Sequence, residues 1–296
     1  MRAAAIQLNS DLDAARNLRA ADELTRAAAA DGATLVVLPE KWNGLGLGKG
    51  AMERVAEPLD GPAISWARRT ARELGVDLVA GSIAERRPGR EKLSNTSVHI
   101  GPDGEIAALY RKIHMFDVVV GGIEYRESAT EEPGDEIAVS RLADGTELGL
   151  SVCYDLRFPE LFRILAIRGA RVIALPAAFT KVTGRAHWEV LVRARAIENQ
   201  AFVVAADQCG VHPPGDKESF GGSLIVDPWG EVLARAGDEP CFVAADLDLA
   251  RQDEVREQLP SLANRVPDAY RWPEGASPRP DASGASPRPD ASGVHA

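Results

Sequence analysis

The stretch Thr34-Leu35-Val36-Val37-Leu38-Pro39-Glu40 is a continuous apolar run closed by a proline and an acid. Side chains alternate across a strand, so a strand with one wet face would read apolar–polar; here every position is apolar, which calls for cover on both faces. Proline has no N–H for the ladder and ends it. Working outward, the run sits between helical stretches. Upstream lie a short apolar strand around Ala3 to Leu8 and an Ala-rich helix over 12–30, closed by Asp31-Gly32. Downstream is a helix over 62–74 with Pro62 just inside its start and Gly75 just past its end, the usual asymmetry of helix ends. Another apolar strand follows over 76–83. This is an α/β pattern.

The middle of the chain changes character. Residues 95–100, the turn Gly101-Pro102-Asp103-Gly104 and residues 105–110 read as an antiparallel hairpin. Strands are expected over 136–142 and 147–152. A helix from Arg157 would carry Phe158, Leu161, Phe162, Leu165 and Ala166 on one face. After Gly169 come a strand over 171–175, a helix over 186–199 and a strand over 202–206. A last hairpin turns at Asp227-Pro228-Trp229-Gly230. Hairpins mixed with βαβ units imply a mixed sheet or two sheets. One domain over 1–272 is expected. Residues 273–296 differ: the nine residues from Gly275 to Ser283 recur from Gly284 to Ser292, and Pro, Gly, Ser and Ala without large apolar groups cannot offset the entropy of ordering, so a disordered tail is expected.

Composition narrows the function classes. Of 296 residues, 45% are apolar and 26% charged, with a net charge of −10, which argues against nucleic acid or an anionic membrane as partner. No GxGxxG follows a strand and no phosphate-binding loop is present. The three cysteines, Cys153, Cys209 and Cys241, form no CxxC pair and no zinc-ligand spacing, so neither a metal nor an organic cofactor is expected. The first apolar run is too short for a signal peptide or a membrane span, and a reduced, cytoplasmic protein is the expectation.

Three segments put a reactive group just beyond an apolar strand: Leu38-Pro39-Glu40, Tyr110-Arg111-Lys112 and Val152-Cys153-Tyr154-Asp155. A thiol needs a base to become a nucleophile, and the tetrahedral intermediate it forms needs a cation and a backbone N–H. Read singly, each residue has a plain alternative. Cys153 would be an inert buried thiol, Glu40 a helix-start or surface acid, and Lys112 with Arg111 a solvated pair.

The segments Leu38-Pro-Glu40, Tyr110-Arg-Lys-Ile-His-Met-Phe-Asp117 and Gly149-Leu-Ser-Val-Cys-Tyr-Asp-Leu-Arg-Phe-Pro-Glu160 resemble the three signatures of the nitrilase superfamily of carbon–nitrogen hydrolases. So do Pro176-Ala-Ala-Phe-Thr180, Thr183-Gly-Arg-Ala-His-Trp-Glu189 and Arg193-Ala-Arg-Ala-Ile-Glu-Asn-Gln200, all in the superfamily's order. The chain is most similar to the branch holding omega-amidase and deaminated-glutathione amidase. The resemblance implies a four-layer α-β-β-α sandwich and a homodimer or larger homo-oligomer. It implies Glu40 as general base, Lys112 as electrostatic partner, Cys153 as nucleophile and the Tyr154 N–H as oxyanion donor. Glu127 takes the place of a second glutamate, with Glu124 its rival. Substrate contacts are expected from Phe179, Thr180, His187 and Arg185, with Lys181 and Thr183 as further partners for a substrate carboxylate. The implied reaction is hydrolysis of a small-molecule amide through a Cys thioester, with a short anionic omega-amide as substrate. N-carbamoyl amino acids or nitriles on the same site, or an idle binding protein of this fold, are the alternatives. Of the remaining groups, Asp155, Arg157 and Glu160 read as a buried ion pair, His114 as structural, and Cys209 as a structural thiol or a rim residue. Gly221-Gly222-Ser223 departs from the Gly-His-Ser of many relatives.

Overall fold

The computed structural model describes residues 1–46, 50–213 and 217–271. The expected tail and Trp272 lie outside the described residues. The main unit is Met1–Leu262; a second unit begins at Ala263 and holds the short 3-10 turn Pro267–Ala269.

Two six-stranded sheets build the main unit. In spatial order the first runs Cys241–Asp246, Arg2–Gln7, Leu35–Val37, Asp77–Glu85, Ser94–Ile100 and Ile106–Arg111. The second runs Val232–Arg235, Leu224–Val226, Phe202–Asp207, Val172–Ala177, Glu147–Leu150 and Val139–Arg141. The apolar run 34–38 shows how the layers arise. Leu35 and Val37 join a core that also holds Leu148, Leu150, Ile173 and Val204 of the second sheet. Val36 and Leu38 join a different core with Ala21, Ala28, Ile64 and Ala67 of the helices Ala14–Ala30 and Pro62–Leu74. Ala3 and Ala5 against Ala4 and Ile6 divide in the same way. On the far side of the second sheet, Leu161, Phe162 and Leu165 of helix Pro159–Ile167 and Trp188 and Val192 of helix Lys181–Asn199 complete the four layers. Burying a side chain such as Phe162 or Leu165 is worth about 1.5–3 kcal/mol, so the small-residue strands are held mainly by what packs across them. The expected α-β-β-α sandwich is the fold found.

Several boundaries moved, for local reasons. The helix expected from Arg157 is a 3-10 turn, Cys153–Arg157, followed by Pro159–Ile167. Phe158 between them has φ −113° and ψ 90°, because a residue before proline is driven out of the helical region. The helix expected over 186–199 begins at Lys181. Thr180 caps it by accepting from the Thr183 N–H, and Gly184 admits close contact with Phe220, whose Cβ would stand 2.3 Å from any Cβ there. Among the elements not foreseen are the hairpin Asp117–Val120 with Ile123–Arg126, the helix Ala51–Val55, the strand pair Cys209–Val211 with Glu218–Phe220, the strand Cys241–Asp246 beside the first strand, and helix Leu249–Gln258. No helix among the described residues is long and apolar enough to cross a membrane.

Candidate active site

Glu40, Lys112 and Cys153 each emerge just past a strand: Leu35–Val37, Ile106–Arg111 and Glu147–Leu150. Glu40 is aimed by its neighbours. The chain at Pro39 presses so closely on Gly81 that a Cβ there would stand 2.0 Å from the Pro39 carbonyl oxygen. The buried Glu40 carboxylate accepts from Asn95 Nδ2 at 2.7 Å and Lys112 Nζ at 3.0 Å on one oxygen, and from the Ala178 N–H at 2.9 Å on the other. Lys112, fully buried, also donates to both oxygens of Glu127 at 3.0 and 2.8 Å. Glu127 accepts from the Phe116 N–H at 2.8 Å as well. Glu124, the rival, is exposed and paired with Arg126.

Cys153 has φ 48°, a left-handed backbone rarely adopted by a residue with a side chain. The sharp turn from strand to 3-10 helix lifts the thiol toward Glu40 and Ala178, and such strain persists only where the surroundings enforce it. The enforcing group is Asp155. Its buried carboxylate accepts from Tyr110 Oη at 2.7 Å and the Val152 N–H at 2.8 Å, and meets His114 Nδ1 at 2.7 Å. His114 in turn stacks on Phe158 at 3.5 Å, the structural part expected of it. The Tyr154 N–H follows in the first turn, where helical N–H groups have no acceptor within the helix.

The charges have a clear order. Burial and the Glu40 carboxylate push the Cys153 thiol well above its ordinary value, against the pull of Lys112. Burial disfavours the Lys112 ammonium, but Glu127 and Glu40 outweigh it and raise its pKa. Burial would likewise raise Glu127; Lys112 and Lys41 outweigh that and hold it well below the usual carboxylate range. The resting site is therefore a neutral thiol beside an ionised carboxylate–ammonium cluster.

These groups line a cavity of about 240 Å³ with Phe116, Tyr154, Arg157, Phe179, Thr180 and Thr183. Two expected substrate residues are elsewhere, which corrects that reading: Arg185 and His187 are exposed and do not line the cavity. The phase of helix Lys181–Asn199 explains it, since Gly184 and Trp188 take the buried face and the residues between them turn outward. His187 reaches the site only through Arg157, 3.3 Å from Nδ1, and Lys181 pairs with Glu218. The expected ion pair of Asp155, Arg157 and Glu160 is also corrected. Asp155 braces the turn, Glu160 is exposed, and Arg157 lies over the rings of Phe179 and Tyr154, 5.1 and 5.9 Å from their centroids. Cys209 is buried outside the cavity, its thiol pushed up to about 12 by burial. Gly221-Gly222-Ser223 serves packing: the Gly222 carbonyl accepts from Trp188 Nε1, and Ser223 binds Gln7 and Asp207.

Sequence reading missed Asn95, Lys41, Glu131 and the cavity placement of Arg157. Asn95 left a trace, because Ser94-Asn95-Thr96-Ser97 is a polar run inside a strand that the structure buries entirely. Lys41, directly after Glu40, left none that distinguishes it from a surface lysine.

The sandwich and the thiol–carboxylate–ammonium cluster define a class, amidohydrolases acting on carbon–nitrogen bonds. The carbon-nitrogen hydrolase family model matches residues 2–257, and the chain belongs to that family. It is 41% identical over 271 residues to the deaminated glutathione amidase of Bos taurus, covering 90% of this chain and 82% of that protein. It is 40% identical over 273 residues to omega-amidase NIT2 of Homo sapiens, covering 91% and 96%. The solved C. elegans NitFhit protein superposes with a TM-score of 0.85 at 37% identity, covering 91% of this chain and 66% of that one.

Proposed function

We propose that this enzyme releases ammonia from the terminal amide of a short acyl chain that carries a carboxylate remote from the scissile bond, as in α-ketoglutaramate or deaminated glutathione. Arg157 carries the proposal. Its guanidinium lines the cavity, lies over the rings of Phe179 and Tyr154 at 5.1 and 5.9 Å from their centroids, and has no carboxylate partner among the described residues. A planar fork placed in this way suits bidentate binding of a substrate carboxylate. The names of the two relatives, an omega-amidase and a deaminated glutathione amidase, point the same way.

In the mechanism, Glu40 takes the Cys153 proton as the sulfur attacks the amide carbon. Lys112 and the Tyr154 N–H hold the developing oxyanion. Glu40 returns the proton to the departing nitrogen, ammonia leaves, and a thioester remains. Glu40 then takes a proton from water, hydroxide adds to the thioester, and collapse expels the Cys153 thiolate, which is reprotonated. Phe179 and Thr180 form the wall beside the acyl chain. We further propose that the enzyme is cytoplasmic, in keeping with three unpaired thiols, and forms homodimers or larger homo-oligomers.

The test compares kcat/KM for α-ketoglutaramate, deaminated glutathione, a neutral amide of equal length, the matching nitrile and an N-carbamoyl amino acid. Arg157→Met should raise KM for the anionic amides by about 10- to 100-fold and leave the neutral amide nearly unchanged, the loss of a charge-assisted pair. A neutral amide, nitrile or carbamoyl compound preferred by about tenfold or more would overturn the anionic reading.

A further inference from the structure

Glu127 is served by a second ammonium group. Lys41 Nζ stands 3.2 Å from Glu127 Oε1, the same oxygen that Lys112 approaches at 3.0 Å, and 2.5 Å from Glu131 Oε1. All are buried: the side chains of Lys41, Glu127, Glu131 and Lys112 are 10%, 8%, 1% and 1% exposed. Lys41 also carries a strained backbone, φ 51°, with its N–H donated to Ser82 Oγ at 3.1 Å. A buried ion pair is a poor device for stability, because desolvation offsets most of its attraction. Its place beside Glu127 asks for another explanation.

We infer that Lys41, held by Glu131, is a positioning residue for the reaction: it shares the charge of Glu127 so that Lys112 is free to turn toward the oxyanion. The inference rests on the reading of Cys153, Glu40 and Lys112 given above. Lys112 faces two carboxylates, Glu40 and Glu127, the latter through both oxygens. If Lys112 alone neutralised Glu127, the ammonium would be clasped in its ground-state position, and stabilising a new negative charge would require breaking that clasp. Lys41 supplies the missing half of the countercharge. Glu131 keeps Lys41 from collapsing fully onto Glu127, and its second oxygen has no hydrogen-bond partner. Burial pushes Glu131 up to about 7 against the pull of Lys41, in line with a group whose charge is only partly balanced.

The test uses the full-length enzyme with three variants and two readouts. Lys41→Met/Glu131→Gln removes both charges together and leaves no orphan carboxylate. Lys41→Gln keeps an amide donor toward Glu131 and carries the test if the double variant does not fold. Glu131→Gln retains Lys41. The readouts are steady-state kinetics and the Ki of a substrate-like aldehyde, which adds the Cys153 S–H across its carbonyl and places a tetrahedral oxygen where the oxyanion forms. Loss of Lys41 should lower kcat and weaken the aldehyde by about tenfold, less than removing an oxyanion partner outright. KM and product affinity should stay within about threefold, the mark of an interaction made in the transition state. Glu131→Gln keeps the Lys41 charge but loosens its hold, and should fall between wild type and the double variant in both readouts. Unchanged kcat and aldehyde Ki without Lys41, or losses that appear equally in KM and product affinity, would overturn the inference. Cys153→Ala serves as the separate arm: activity surviving that change would defeat the underlying functional reading instead.

Discussion

Cys153, the proposed nucleophile, has surroundings that resist its ionisation. Burial and the adjacent Glu40 carboxylate both oppose a resting thiolate, and Lys112 compensates only in part. Proton transfer to Glu40 must then accompany attack. A thiol raised in this way stays protonated at neutral pH and ionises only as pH climbs past the ordinary value. Alkylation of Cys153 by iodoacetamide should therefore keep accelerating with pH and reach no plateau below pH 9.0, the unperturbed thiol value. Peptide mass spectrometry over a pH series measures it; a plateau near neutrality would mean a preformed thiolate and a different role for Glu40. On the same logic, Cys153→Ala should abolish turnover while Cys209→Ala and Cys241→Ala retain most of it, as assayed by ammonia release. Lys112→Arg should fail nearly as badly as Lys112→Ala, because a guanidinium is bulkier and forked.

At the scale of the element, the turn Cys153–Arg157 shows how a short segment is held in a costly shape. Asp155 satisfies the Tyr110 hydroxyl and the Val152 N–H with one oxygen and His114 with the other. Asn at this position keeps one acceptor and sets an NH₂ against a donor, so a buried group loses its partner. Asp155→Asn should cost about 1–3 kcal/mol of stability. It should also lower kcat, because the φ of Cys153 is no longer enforced. Thermal unfolding and steady-state kinetics on one preparation check both, and unchanged values in both would show that the turn holds itself. The composition of this segment suggested that Asp155, Arg157 and Glu160 pair with one another, which they do not. Their partners, Tyr110 and His114 for Asp155 and the Phe179 ring for Arg157, come from strands and loops distant in the chain.

At the scale of the molecule, the outer helices leave apolar side chains uncovered: Ile164 and Ile167 on Pro159–Ile167, Val190 and Ile197 on Lys181–Asn199. A second copy presenting the same face would cover them with two-fold symmetry. Light scattering at micromolar concentration should give a dimer or larger, and Ile167→Glu with Val190→Glu should shift it toward monomer. A monomeric wild type with full activity would refute the assembly. Deleting the repeat after Gly275 should leave folding and activity unchanged, since it offers nothing large to bury; a melting temperature several degrees lower would contradict that.

From the sequence, periodicity established a mixed α/β pattern, and the resemblance of its motifs to the nitrilase superfamily implied the four layers and the trio Glu40, Lys112 and Cys153. Periodicity is a local property: 34–38 reads as doubly covered whatever covers it, and motifs that end strands deliver Glu40, Lys112 and Cys153 to one rim. Only the tertiary structure decided what surrounds them. Arg185 and His187 fall outside the cavity and Arg157 inside it because helix phase and the bend before Pro159 set side-chain direction. Lys41 meets Glu131 across 90 residues of chain. Whether such a lysine is solvated or buried against two carboxylates depends on the long-range approach of strands and loops, which no local pattern records.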